Sequence, residues 1–271
     1  MTTDVPSRTT DPAITTDTPR SVGALAATLR GEWIKATTVR ANRILLGVAV
    51  ALGLVTSWAT AAFGTGSGFS ATDVMFLPTL LMAVLAAIAG VTVFTAEVQH
   101  GTLAAALAAH PSRWPVVVAK ASIATGLGLC LGVVGLVAGG VGGLVGGLGT
   151  DALSASTSRI AWVLLYTVGS ALLGLGVGLV VRHGAGAVSG ILVWWLVVEG
   201  LVVQFAPPEL VRFVPFDTGF RTLGIESDLD APEVLAAGLT TPLHAAIFWS
   251  YVLTALAIGT WSVRRRDLDG R

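Results

Sequence analysis

Six apolar stretches, at roughly 44–63, 74–94, 116–144, 160–181, 187–205 and 243–261, take up most of the 271 residues of this chain. Each is long enough for a helix rising about 1.5 Å per residue to cross about 30 Å of hydrocarbon. Inside a bilayer the backbone has no water to bond to, and an uninterrupted apolar run of this length satisfies itself as a helix. A soluble domain of this size would need a charged exterior and an amphipathic period, yet only 12% of the residues are charged, and they stand almost wholly between the stretches. The chain reads as an all-α polytopic membrane protein with six transmembrane helices and both termini on one side.

Lys and Arg indicate which side. Arg8, Arg20, Arg30, Lys35, Arg40 and Arg43 precede the first stretch, Arg113 and Lys120 stand around the second gap, Arg182 in the fourth, and Arg264, Arg265, Arg266 and Arg271 in the tail. The alternate gaps hold only Arg159, Arg212 and Arg221. Positive residues stay with the cytoplasmic leaflet, so the N and C termini are expected in the cytoplasm and the protein in the cell membrane. The formal net charge of +0 conceals this segregation, and no basic stripe with interleaved aromatics points to nucleic acid.

Residues 1–20 are rich in Thr, Asp and Pro and too poor in large apolar side chains to offset chain entropy, so they read as a disordered cytoplasmic lead. The first apolar stretch comes more than forty residues in, and no removable signal peptide is expected. From Ser21, a suitable N-cap, residues 21–41 carry Leu25, Leu29 and Trp33 on one face and basic residues including Lys35 elsewhere. This predicts an amphipathic helix in the interface plane, or one packed on protein. The domain plan is completed by a six-span unit at 42–263 and a basic tail at 264–271.

Between the spans, GTGSGFS reads as a flexible external turn, and Cys130, the single cysteine, as a small core residue that excludes a disulfide framework. The cytoplasmic gap AEVQHGTLAAALAAHPSRW puts Glu97 at the end of a span, Gly101 and Thr102 at a turn, and an Ala-rich helix of about two turns before the stop at Pro111. Such a helix is too short to stand alone and should dock on another surface. Around it, Glu97 and Arg113 are placed to brace its two ends. After Cys130, Gly135, Gly139, Gly143 and Gly147 repeat the small-xxx-small spacing, which allows close backbone packing but also weakens a helix. His183 reads as an interfacial residue, and 207–223 as one or two short external helices, interrupted by Pro215, before an acidic loop.

Glu199 is the one carboxylate deep inside an apolar run, where a charge costs about 2.5–3.5 kcal/mol and demands a protein partner or a wet cavity. Trp195 lies four residues earlier, on the same α-helical face, and Gln204 could join that polar strip. A substrate path and a structural bond both fit the pair. No HExxH, GxSxG or clustered His ligands appear, so no metal site and no hydrolytic chemistry are expected. The classes left open are a transport subunit driven by a separate protein, an ion-coupled secondary carrier, and a non-transport membrane interaction protein.

Over roughly 29–268 the chain resembles the permease subunits of ABC-2 type exporters, especially the compact half-transporters of high-GC Gram-positive bacteria. The resemblance rests on LRGEWIKATTVR before the first span, EVQHGTLAAALAAHPSRWPVVVAK between the second and third, and the terminal RRRDL. Glu97, Gly101 and Thr102 match an E-x-x-x-G-T pattern, Pro111 and Arg113 a following Pro/Arg segment, and Lys120 the basic residue that opens the next span. The resemblance implies that residues 25–40 form a connecting helix and that Gly101, Thr102, Ala106 and His110 lie on a coupling helix docked to an ATPase. It further implies a dimer with an identical or related permease, two cytoplasmic ATPase subunits holding ATP and Mg, and export of an amphipathic or lipid-like compound. No cofactor is expected in this chain.

Overall fold

The computed structural model describes residues 30–31, 33–34, 40–64, 70–99, 101, 114–151, 156–224 and 239–266. Among these every regular element is helical. The helices are α1 (Arg40–Phe63), α2 (Ala71–Val74), α3 (Thr79–Gln99), α4 (Trp114–Val145), α5 (Thr157–Val181), α6 (Gly184–Val193), α7 (Gly200–Phe205), α8 (Pro208–Val211), α9 (Pro215–Arg221) and α10 (Thr241–Arg266). A π-helical turn, Trp194–Glu199, joins α6 to α7. Among the described residues six helical segments are long and apolar enough to cross a membrane: Arg40–Phe63, Ala71–Gln99, Val116–Val145, Thr157–Val181, Gly184–Phe205 and Thr241–Val263. This is a multi-pass membrane protein, consistent with a transporter-like fold.

The second and fourth spans form the centre. In α3 and α5 most side chains are buried, whereas in the first and fifth spans only 17% of the most apolar window is. Glycine explains how the central pair meets. A Cβ on Gly90 would fall on the Ala171 carbonyl, and one on Gly174 on the Ala87 carbonyl, so the two helices cross backbone to backbone. α4 lies against both and against α1. Gly128 and Gly132 face α5 at Thr167 and Val168, while Gly142 faces the Leu54 carbonyl of α1. α10 packs on α5 through Gly176 against Ala255 and Gly259 against Leu179.

The glycine run therefore makes interfaces. Gly135 accommodates Met82, Gly139 the backbone of Met75, and Gly143 Val74 and Ala71, and α4 stays helical to Val145 before Gly147, at φ 91°, turns the chain. That stripe receives the segment at 70–79, whereas residues 65–69 of the expected flexible turn lie outside the described residues. Ser70 and Asp73 form a capping box at the start of α2, and Ser57 of α1 donates to the Val74 carbonyl at 2.9 Å. The loop after α4 is tied to the same place by the Ala71 N–H donating to Gly149 O at 2.8 Å.

Cys130 departs from expectation. It is exposed, because the inward positions of α4 are taken by glycines at 128 and 132. Gln204 is also exposed and does not join the buried polar strip. Residues 1–29, 35–39 and 267–271, the acidic loop at 225–238 and the segment 102–113 lie outside the described residues, and with them Leu25, Leu29, Lys35, Thr102, Ala106, His110 and Arg113.

Candidate functional site

Two polar constellations interrupt the apolar body, one at each end. The first lies where α3 leaves the bundle and α4 enters it. Glu97, in the last turn of α3, pairs with Lys120 of α4 at 2.7 Å, the two side chains being 9% and 2% exposed. The Lys120 Nζ also donates to the Val93 carbonyl at 3.2 Å and stands 6.0 Å from the Phe94 ring centre. Both residues fall inside the limits of apolar spans. Glu199 is therefore not the one embedded carboxylate, and among the described residues Glu97 faces the cation Lys120, which opens the next span.

Gly101 terminates α3. Its φ is 69° and its N–H donates to the Val98 carbonyl at 3.3 Å, a left-handed cap that a side chain would disfavour. The spacing of Glu97 and Gly101 thus has a local cause: one residue faces inward in the final turn, and the other reverses the chain. The pair straddles the connection expected to dock a partner, of which Thr102, Ala106, His110 and Arg113 are not described. Near the same end Arg182 caps α5 in a left-handed conformation and its Nη2 donates to the Ser262 carbonyl at 3.4 Å. His183 caps α6, its Nδ1 accepting the Gly186 N–H at 3.0 Å. Trp33, 57% exposed, lies over α4, with its ring edge 3.3 Å from where a Cβ on Gly126 would be.

The second constellation surrounds Glu199, 3% exposed. Its Oε1 accepts the Trp194 indole N–H at 2.9 Å and the Phe216 N–H at 3.0 Å, and its Oε2 accepts the Asp217 N–H at 3.1 Å. The carboxylate therefore satisfies free amides in the first turn of α9 from another helix. Tyr166 of α5 donates to the Phe216 carbonyl at 2.9 Å, and Gly219 rests against the Tyr166 ring and Phe248 of α10. Asp217 and Arg221 of α9 pair at 2.6 Å, each side chain 18% exposed. His244 of α10 is buried nearby, and its Nδ1 has no hydrogen-bond partner among the described residues.

The expected Trp195–Glu199 pairing is replaced by Trp194–Glu199. A four-residue spacing assumes an α-helix, whereas the π-helical turn brings residues five apart together. Trp195 is half-buried and packs with Val84, Ala87, Val91, Ala187, Ile191 and Phe216. Sequence reasoning missed Trp194, and it gave Lys120 no role in pairing with Glu97. The signal for Lys120 was present in a lysine lying among apolar residues at the start of a span, which requires an anion from a neighbouring helix.

Chemically, the Glu199 constellation binds one segment of the chain to another, and the Glu97–Lys120 constellation balances two buried charges. Among the described residues no group of three His, Cys, Asp or Glu side chains is placed to hold a metal ion. No protein-family model matches the chain, and no curated protein matches it.

Proposed function

We propose that this chain is the permease subunit of an ATP-driven ABC-2 type exporter, moving an amphipathic or lipid-like compound out of the cell. The reading takes the N and C termini as cytoplasmic and the second permease as an identical or related chain. The chain itself hydrolyses nothing. ATP and Mg belong to two cytoplasmic ATPase subunits, and the free-energy difference between their two states biases the permease between conformations.

The observation that supports this reading best is the buried Glu97–Lys120 pair on either side of the 100–113 connection. A partner pushing on that connection meets α3 and α4 where they are joined by charge, so displacement of one is shared by the other. The ion-coupled carrier is disfavoured because Glu199 is engaged by three donors from its own chain. The test is recovery of the full chain from membranes together with a nucleotide-hydrolysing subunit. Ala106→Trp should reduce that recovery or the complex's ATP hydrolysis while membrane insertion persists. Purification without any ATPase, or turnover unaffected by Ala106→Trp, would count against the proposal.

A further inference from the structure

We infer that the π-helical turn Trp194–Glu199 and the external helix α9 form a two-state latch in which the register of the fifth span decides whether α9 is held. The inference does not depend on the transport reading. It starts from a difference between the fifth span and its neighbours. Gly90, Gly174 and Gly176 of other spans are pressed on foreign backbone, whereas in the fifth span Gly184 meets only the side chains of Gln99 and Thr95, and Gly190 and Gly200, flanking the π-turn, have nothing within 4 Å of an added Cβ. Around the π-turn the fifth span has no glycine pressed on foreign backbone.

A π-turn is one residue inserted into an α-helix. Were the turn to relax to α-helix, everything beyond it would rotate by about 100° relative to α6, the angle of one residue. Glu199 would then leave the Trp194 indole and the amides of Phe216 and Asp217. The three bonds thus select the π register, and the π register aims Glu199 at α9. Each requires the other, which makes the arrangement cooperative. The seat that α9 would vacate is defined by Tyr166, whose hydroxyl reaches the Phe216 carbonyl, and by Phe248, against which Gly219 is pressed. Asp217 and Arg221 travel with α9 as a pair, while the Glu199 carboxylate, parted from its three donors, must reach water or another donor in the released state.

The test uses the full chain in lipid nanodiscs, with Cys130→Ala to remove the exposed thiol and Val214→Cys as reporter. Val214 is the residue before α9 and is 5% exposed. The readout is the rate of modification by a small hydrophilic maleimide. Glu199→Gln retains size but loses charge and one acceptor, and should speed modification about tenfold, the loss expected for one hydrogen bond to a charged group. Deleting Val197 should act oppositely. It removes the inserted residue, leaves Trp194 and Glu199 four apart on one α-helical face, and abolishes the alternative register, so modification should slow below the wild-type rate. A purely structural bond predicts no slowing. Trp194→Phe, which removes only the indole donor, should give a smaller acceleration and serves if Glu199→Gln folds poorly. Equal rates in all variants, or acceleration by the Val197 deletion, would overturn the latch. Loss of folded protein in both Glu199→Gln and Trp194→Phe would assign Glu199 to the rigid framework and overturn it equally.

Discussion

Replacing Lys120 by Met should be among the most damaging single changes away from the glycine contacts. The substitution keeps chain length and apolar volume but removes the charge that faces Glu97, whose side chain is 9% exposed and 2.7 Å from the ammonium. A buried carboxylate that loses its cation destabilises a fold by about 3–5 kcal/mol. Glu97→Leu should cost a similar amount, because it leaves the buried ammonium without its carboxylate. Carrying both changes removes both charges, and an apolar replacement of a buried pair is about neutral or even stabilising by about 1–4 kcal/mol. The double variant should therefore recover most of what either single change loses, a coupling of several kcal/mol. Equilibrium unfolding in mixed micelles, followed by tryptophan fluorescence, measures all four corners of the cycle. Additive losses, with the double variant worse than either single one, would show that the two charges do not stabilise each other and would refute the reasoning.

Gly90→Ala and Gly174→Ala should each cost about 1–3 kcal/mol or more, since the new methyl meets a carbonyl that cannot retreat without separating α3 from α5. Gly190→Ala, in open space on α6, should instead gain about 0.5–1 kcal/mol, and the same unfolding assay distinguishes the two cases. Tyr166→Phe should lose about 1 kcal/mol, the value of the hydroxyl's bond to the Phe216 carbonyl. Single cysteines introduced at Arg182 and Asp151 in a Cys130→Ala background should label from the inside and the outside respectively, and a reversed result would invert the topology read from the basic residues.

The spans were legible because length and apolarity alone specify them, and Arg182, at a left-handed helix end, shows how sharply one gap is marked. What composition concealed was what the gaps and small residues do. Ser70 and Asp73 fit the S-x-x-D signature of a capping box, a signal obscured by the glycine-rich turn beside it. Cys130 was misplaced because α4 is apolar on every side, so its sequence carries no amphipathic signal to separate inward from outward. The Glu199 site was found by its burial cost but paired with the wrong tryptophan. A one-residue change of helical period leaves no compositional trace, and the α9 amides that complete the site belong to the backbone, where no side-chain pattern can reveal them.

The crossing of α3 and α5 also has a consequence for biosynthesis. The seat at Gly90 is filled by Ala171, and that at Gly174 by Ala87, across an intervening span. When α3 and α4 have left the ribosome, α3 still presents a bare strip of backbone shaped for a helix that has not been made, and only lipid is there to cover it. α4 offers a second strip, at Gly128 and Gly132, to the same absent helix. The arrival of α5 fills both at once, so the centre of the molecule closes in a single late event, after which α9 has a Tyr166 to settle against.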